Sequence, residues 1–235
     1  AFVQSATGFG FAILAAPIYL AVINATGAIP LLVLVHLVQS AMVVPRLWPN
    51  APPRMLKDLV LGALIGCPLG LLAFLRLDIA TLKITVGVLI LAFTALLIAR
   101  DAGLLQATES RAAAEPSSWS TRATGVISGI MTALLVMPGP PVMLHLMGRD
   151  IAKDQSRALS LTAFAVSYVL VALLNAASGT LTRAIVVDAM VLAPAVVTAT
   201  ALGARASQVM SEGLFRRVVF ALLIASGVGA ILSAL

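Results

Sequence analysis

Pro138-Gly139-Pro140-Pro141 interrupts a stretch, Ala123 to Gly148, that carries no Asp, Glu, Lys or Arg. A proline inside a helix removes an amide donor and clashes with the preceding turn, at a cost of about 3 kcal/mol. Three prolines and a glycine in succession exceed what a simple kink requires. A chain that restarts as a helix after the break points unpaired N–H groups, with partial positive charge, toward whatever lies ahead of it, and that is an anion-binding arrangement. The amides available are those of Gly139, Val142 and Met143, because Pro138, Pro140 and Pro141 have none. A second break, Thr7-Gly8-Phe9-Gly10 followed by Pro17, offers the amides of Gly10 and Phe11 with the side chains of Gln4, Ser5 and Thr7 nearby. Two further groups carry polar chemistry through apolar sequence. His36, Gln39 and Ser40 stand at i, i+3 and i+4 and share one helical face. Arg157, Tyr168 and Asn175 follow at intervals of 11 and 7, again one stripe. His145 and Asp188 are expected at the rims of their segments.

The elements that hold these residues are membrane helices. The chain is 61% apolar and 10% charged, with a mean hydropathy of +1.09, whereas soluble domains carry about 25% charge. No charged residue occurs from Ala1 to Pro45. That run exceeds one crossing at roughly 20 residues per helix and predicts two segments with a turn at Asn24 to Gly27. Hydropathy and Gly/Pro/charge boundaries predict eight segments, near 1–23, 27–45, 56–75, 79–99, 122–147, 156–177, 184–204 and 214–235. The chain starts inside apolar sequence without an initiator Met, so the first segment is expected to be truncated. The net charge of +6 sits in short loops and orients the protein in a bilayer; it does not indicate nucleic acid. Cys67, between Gly66 and Pro68, is a packing residue. Gly62, Gly66 and Gly70 form a face that admits a close helix neighbour. No metal-ligand cluster, nucleotide loop or hydrolase motif is present, so no enzyme, cofactor or metal is expected.

The organisation is expected to be two repeats, 1–99 and 122–235, joined by a solvated linker at 100–121. A shift of 133 positions pairs Gly66 with Ala199, Gly70 with Gly203 and Lys83 with Arg216, the weak internal symmetry typical of transporters. Charge decides how the halves are related. If all eight segments cross, the fifteen basic residues divide eight against seven. If the fifth turns back at Pro138 to Pro141, they divide twelve (Arg46, Arg54, Lys57, Arg100, Arg111, Arg122, Arg149, Lys153, Arg157, Arg205, Arg216, Arg217) against three (Arg76, Lys83, Arg183), a clear positive-inside bias. The expected fold is therefore an all-α integral membrane protein of two inverted repeats, each a re-entrant broken hairpin plus three transmembrane helices.

Gly8-Phe9-Gly10 with Pro17, Gly129 followed by Pro138-Gly139-Pro140-Pro141, Arg157-Ala158, and Leu202-Gly203-Ala204-Arg205 resemble, in order and spacing, the TauE/SafE family of membrane transporters. The resemblance covers nearly the whole chain. It implies a bacterial or archaeal inner-membrane permease for sulfite, sulfonates or related anions. One departure is that Met137 and Pro138 precede Gly139 where relatives are often richer in glycine, which bears on the shape of the pocket. The expected function is a secondary transporter. Its small anion lies at the bilayer midplane between two hairpin tips, with His36, Gln39, Ser40, Phe9, Val142, Arg157 and Tyr168 among the site residues, and moves by alternating access. H+ or Na+ coupling and a homodimer are compatible with this pattern. An anion channel and a non-transporting scaffold or assembly factor are the alternatives.

Overall fold

The computed structural model describes residues 25–101, 117–146 and 151–206, with scattered helical positions between 221 and 232. Among the described residues the chain is helical and contains no strand. The helices are α1 (Ala25–Leu47), α2 (Pro53–Phe74), α3 (Ile79–Asp101), α4 (Ser118–Leu135), α5 (Gly139–Leu146), α6 (Lys153–Ala177) and α7 (Arg183–Ala206), with a 3-10 turn, Trp48–Asn50, after α1. Among the described residues, four stretches are long and apolar enough to cross a membrane: Gly27–Asn50, Pro53–Phe74, Asp154–Ala177 and Arg183–Leu202. Helix α1 already begins at Ala25, inside the stretch expected to turn at Asn24 to Gly27. The predicted tip at Gly8 to Gly10 lies outside the described residues.

Short breaks separate α1 from α2 and α2 from α3. Pro52 and Pro53 start α2, where a missing amide costs nothing because the first turn has no helical acceptor for it. Asp78 starts α3: its carboxylate accepts from the Thr81 amide at 2.9 Å and from the Thr81 hydroxyl at 2.6 Å. These two bonds hold Asp78 below the usual carboxylate range.

Helices α2 and α4 make the closest pair, and glycine is the reason. A methyl group on Gly62 would meet the carbonyl oxygen of Arg122, one on Gly66 that of Val126, and one on Gly125 that of Leu59. Gly129 sits the same way over Cys67 and Ala63. The partners climb together, from Gly62 beside Arg122 to Gly70 beside Ile130, so the two helices run parallel. At their shared starting end Arg122 Nε donates to Asp58 Oδ1 at 2.7 Å. The face picked out from Gly62, Gly66 and Gly70 is thus a helix contact, and Cys67 is a buried packing residue within it.

The remaining contacts build one bundle. Helix α1 packs on α6 and α7, and α2 packs on α6. The buried core draws Ile29, Leu32 and Val33 from α1, Leu59 and Leu71 from α2, Leu135, Val136 and Val142 from the α4–α5 region, and Leu159, Phe164 and Tyr168 from α6.

Candidate functional site

Residues 123–147 do not form one rod. Helix α4 ends at Leu135, and Val136 adopts left-handed backbone (φ 57, ψ 28) as its C-cap. The Val136 amide donates to Thr132 O at 2.9 Å and the Met137 amide to Met131 O at 3.3 Å, which closes the helix end. A β-branched residue in this conformation is strained by roughly 1–2 kcal/mol, and its complete burial holds it there. The unwound segment is therefore Val136 to Pro138. Pro140 and Pro141, expected to belong to the break, lie instead in the first turn of α5. The physical reason is that a proline in a first turn has no amide to lose and brings a helical φ with it.

After the break the chain runs back along α4. Ser128 Oγ donates to Pro138 O at 2.8 Å, and Thr121 Oγ1 lies 3.0 Å from His145 Nε2. Thr121 to Ser128 and Pro138 to His145 are each seven residues, about 10 Å of helix, so the two bonds place α5 antiparallel to the first half of α4. His145, expected at a rim, is tied to the start of α4. Pro138, Gly139, Pro140 and Val142 are buried, Pro141 partly so. The first turn of α5 thus begins inside the protein, where the amides it leaves without helical acceptors face buried surroundings.

The polar face of α1 is buried as well. His36, eleven residues into α1, is buried with Gln39, and Ser40 is partly buried. His36 Nδ1 lies 2.7 Å from Leu32 O; since a carbonyl only accepts, Nδ1 carries the hydrogen, and Nε2 is the atom left to gain or lose a proton. The His36 ring stands 4.8 Å from the Tyr168 ring, tilted by 45°. Tyr168 belongs to the same core as Val136 and Val142. Of the proposed site residues, then, His36, Gln39, Tyr168 and the Pro138–Val142 turn share the buried interior. Arg157 does not join them: it is exposed near the start of α6, about 16 Å along the helix from Tyr168. Asn175 is buried, and its side chain donates to Val171 O at 2.9 Å and accepts from Thr180 at 2.6 Å, an internal duty near the end of α6. Gln4, Ser5, Thr7, Gly8, Phe9, Gly10 and Phe11 lie outside the described residues.

Sequence reasoning overlooked Thr121, Ser128 and Thr162. The first two became visible only through the return of α5, since 24 and 10 residues separate them from their partners. Serine and threonine recur throughout apolar helices, and their types alone carried no signal.

No solved structure matches the chain. A probable sulfite/organosulfonate exporter TauE of Cupriavidus necator is 28% identical over 242 residues, which cover 99% of this chain and 90% of that protein. The model of the sulfite exporter TauE/SafE family matches residues 1–230. The chain belongs to this family of multi-pass membrane transporters, which are inner-membrane proteins in bacteria and not enzymes.

Proposed function

We propose that this protein carries sulfite or an organosulfonate out of the cell, binding the anion in the protein interior beside the start of α5. The single observation that carries the reading is the buried restart of a helix at Gly139, in a chain whose relative is named as an exporter of these anions. An interior helix start supplies amide donors and a positive dipole end without a full charge. His36 and Gln39 add buried polar groups.

The return of α5 along α4 supports a re-entrant segment that leaves and rejoins one face of the bilayer. Irregular backbone at membrane depth is tolerated where protein or a wet cavity surrounds it. The helix contacts support inverted repeats: exchanging α1 with α6 and α2 with α7 converts the α1–α7 contact into the α6–α2 contact, and both occur. The shift of 133 carries Val35 onto Tyr168 and His36 onto Val169. The contact between the His36 and Tyr168 rings thus falls where a two-fold axis between α1 and α6 would pass. Alternating access follows from motion of one half against the other around that axis. Export needs no coupling ion, because an anion leaving a negative interior gains about 2.3 kcal/mol per charge per 100 mV; His36 Nε2 is the interior atom through which a proton could be coupled.

The test is flux of sulfite and taurine from proteoliposomes containing the purified protein, with Gly139→Leu as the variant. Saturable, voltage-dependent efflux from wild type and a loss of at least about tenfold in a folded, inserted Gly139→Leu protein are expected, since the added side chain occupies the anion's place at the helix start. Equal flux from both proteins contradicts the site, and single-channel currents contradict the carrier.

A further inference from the structure

We infer that Thr162 is a further substrate-contacting residue, its hydroxyl donating to an oxygen of the transported anion; this rests on the function proposed above. Five buried helical hydroxyls in this protein share one habit. Thr121, Thr124, Thr132, Ser167 and Thr200 each donate to the carbonyl four residues back, at 2.6 to 3.2 Å. Thr162 is 6% exposed, yet among the described residues its Oγ1 has no hydrogen-bond partner. A buried hydroxyl without a partner costs about 1–3 kcal/mol and calls for an explanation.

Its position supplies one. Helices α5 and α6 pack together, and α6 follows α5 after the short connection 147–152. Gly139 stands about 10 Å along α5 from its end, and Thr162 about 14 Å along α6 from its start, so the two lie at similar helical distances from the connection between their helices. At 100° per residue Thr162 shares a face of α6 with Ala158, Val169 and Leu173. Farther along, that face is open, with Val169 46% and Leu173 63% exposed, but at Ala158 and Thr162 it is covered. Of the elements that pack on α6, which are α1, α2, α4, α5 and the Trp48–Asn50 turn, α5 is the one that begins with a buried helix start. A buried hydroxyl on a helix packed against α5, with its one donor unused, complements a ligand that has only acceptors to offer. Sulfite and sulfonate oxygens are such acceptors, and the Gly139 amide would contact the same group.

The experiment compares Thr162→Val, which keeps the shape and removes the donor, with Thr162→Ser, which keeps the donor. Sulfite KM and Vmax in proteoliposomes are read alongside the thermal midpoint of each ligand-free protein. Expected for Thr162→Val is a KM raised about tenfold, the weight of one lost hydrogen bond to a charged group. Its ligand-free midpoint should be equal to or above wild type, because an unused donor has been replaced by a methyl group. Thr162→Ser should stay within about threefold of the wild-type KM, as the donor remains. An unchanged KM in Thr162→Val overturns the assignment while the transport function stands. A lowered ligand-free midpoint in Thr162→Val also overturns it, since the hydroxyl would then be serving the fold. Absence of sulfite flux in wild type overturns the function itself, and the assignment with it.

Discussion

Ser128 shows what one side chain contributes to this fold. Its hydroxyl satisfies the Pro138 carbonyl at the point where the chain turns back, and both residues are buried. Ser128→Ala leaves that carbonyl without its donor, and should lower stability by about 1–3 kcal/mol, read as a drop in the thermal midpoint in detergent. Asp78 shows a pH-dependent contribution of opposite accessibility. It is an exposed N-cap whose pKa is depressed in the folded state by the two bonds from Thr81. A depressed carboxylate pKa stabilises the folded state above the unfolded pKa, and the contribution disappears as pH falls through the folded value. Asp78→Ala should therefore lower the midpoint at neutral pH, with the difference closing on acidification below the carboxylate range. At this scale the sequence was partly readable. Polar residues on one face of an apolar helix announced His36 and Gln39, because burying them needs a reason. Thr162 gave no such sign, since its anomaly is a missing bond and bonds are invisible in a string of letters.

The element most informative about mechanism is the α4–α5 pair, because its geometry depends on both a break and a scaffold. The proline cluster announced the break to within three residues. The sequence could not say that Val136 would turn left-handed, since that conformation follows from complete burial and not from residue preference. The scaffold is α2, against which α4 lies with carbonyls almost touching glycine Cα atoms. Spacing of Gly62, Gly66 and Gly70 foretold a close neighbour but not which helix, because any small-residue face can accept several. At Gly66 any side chain meets the Val126 backbone, which cannot move aside as a flexible side chain would. Gly66→Val should destabilise the protein by about 1–3 kcal/mol or more. Ile65→Ala, one position away and 59% exposed, should shift the midpoint little; similar losses from both would refute the tight α2–α4 contact.

For the molecule as a whole, composition announced a helical membrane protein, and the count of basic residues predicts an orientation. Asp58 and Arg122 add a structural link to that count: the starts of α2 and α4 share one end of the bundle, close to Arg54 and Lys57 in sequence. The account depends on α4 and α5 entering and leaving the membrane from a single face. This is tested most directly by cysteine labelling in a Cys67→Ala background, with Ser117→Cys before α4, Ala152→Cys after α5 and Thr182→Cys between α6 and α7, all exposed positions. A membrane-impermeant maleimide applied to inside-out vesicles should label Ser117→Cys and Ala152→Cys alike, while Thr182→Cys reacts only from the outside of intact cells. Reaction of Ser117→Cys and Ala152→Cys from opposite faces would contradict the account.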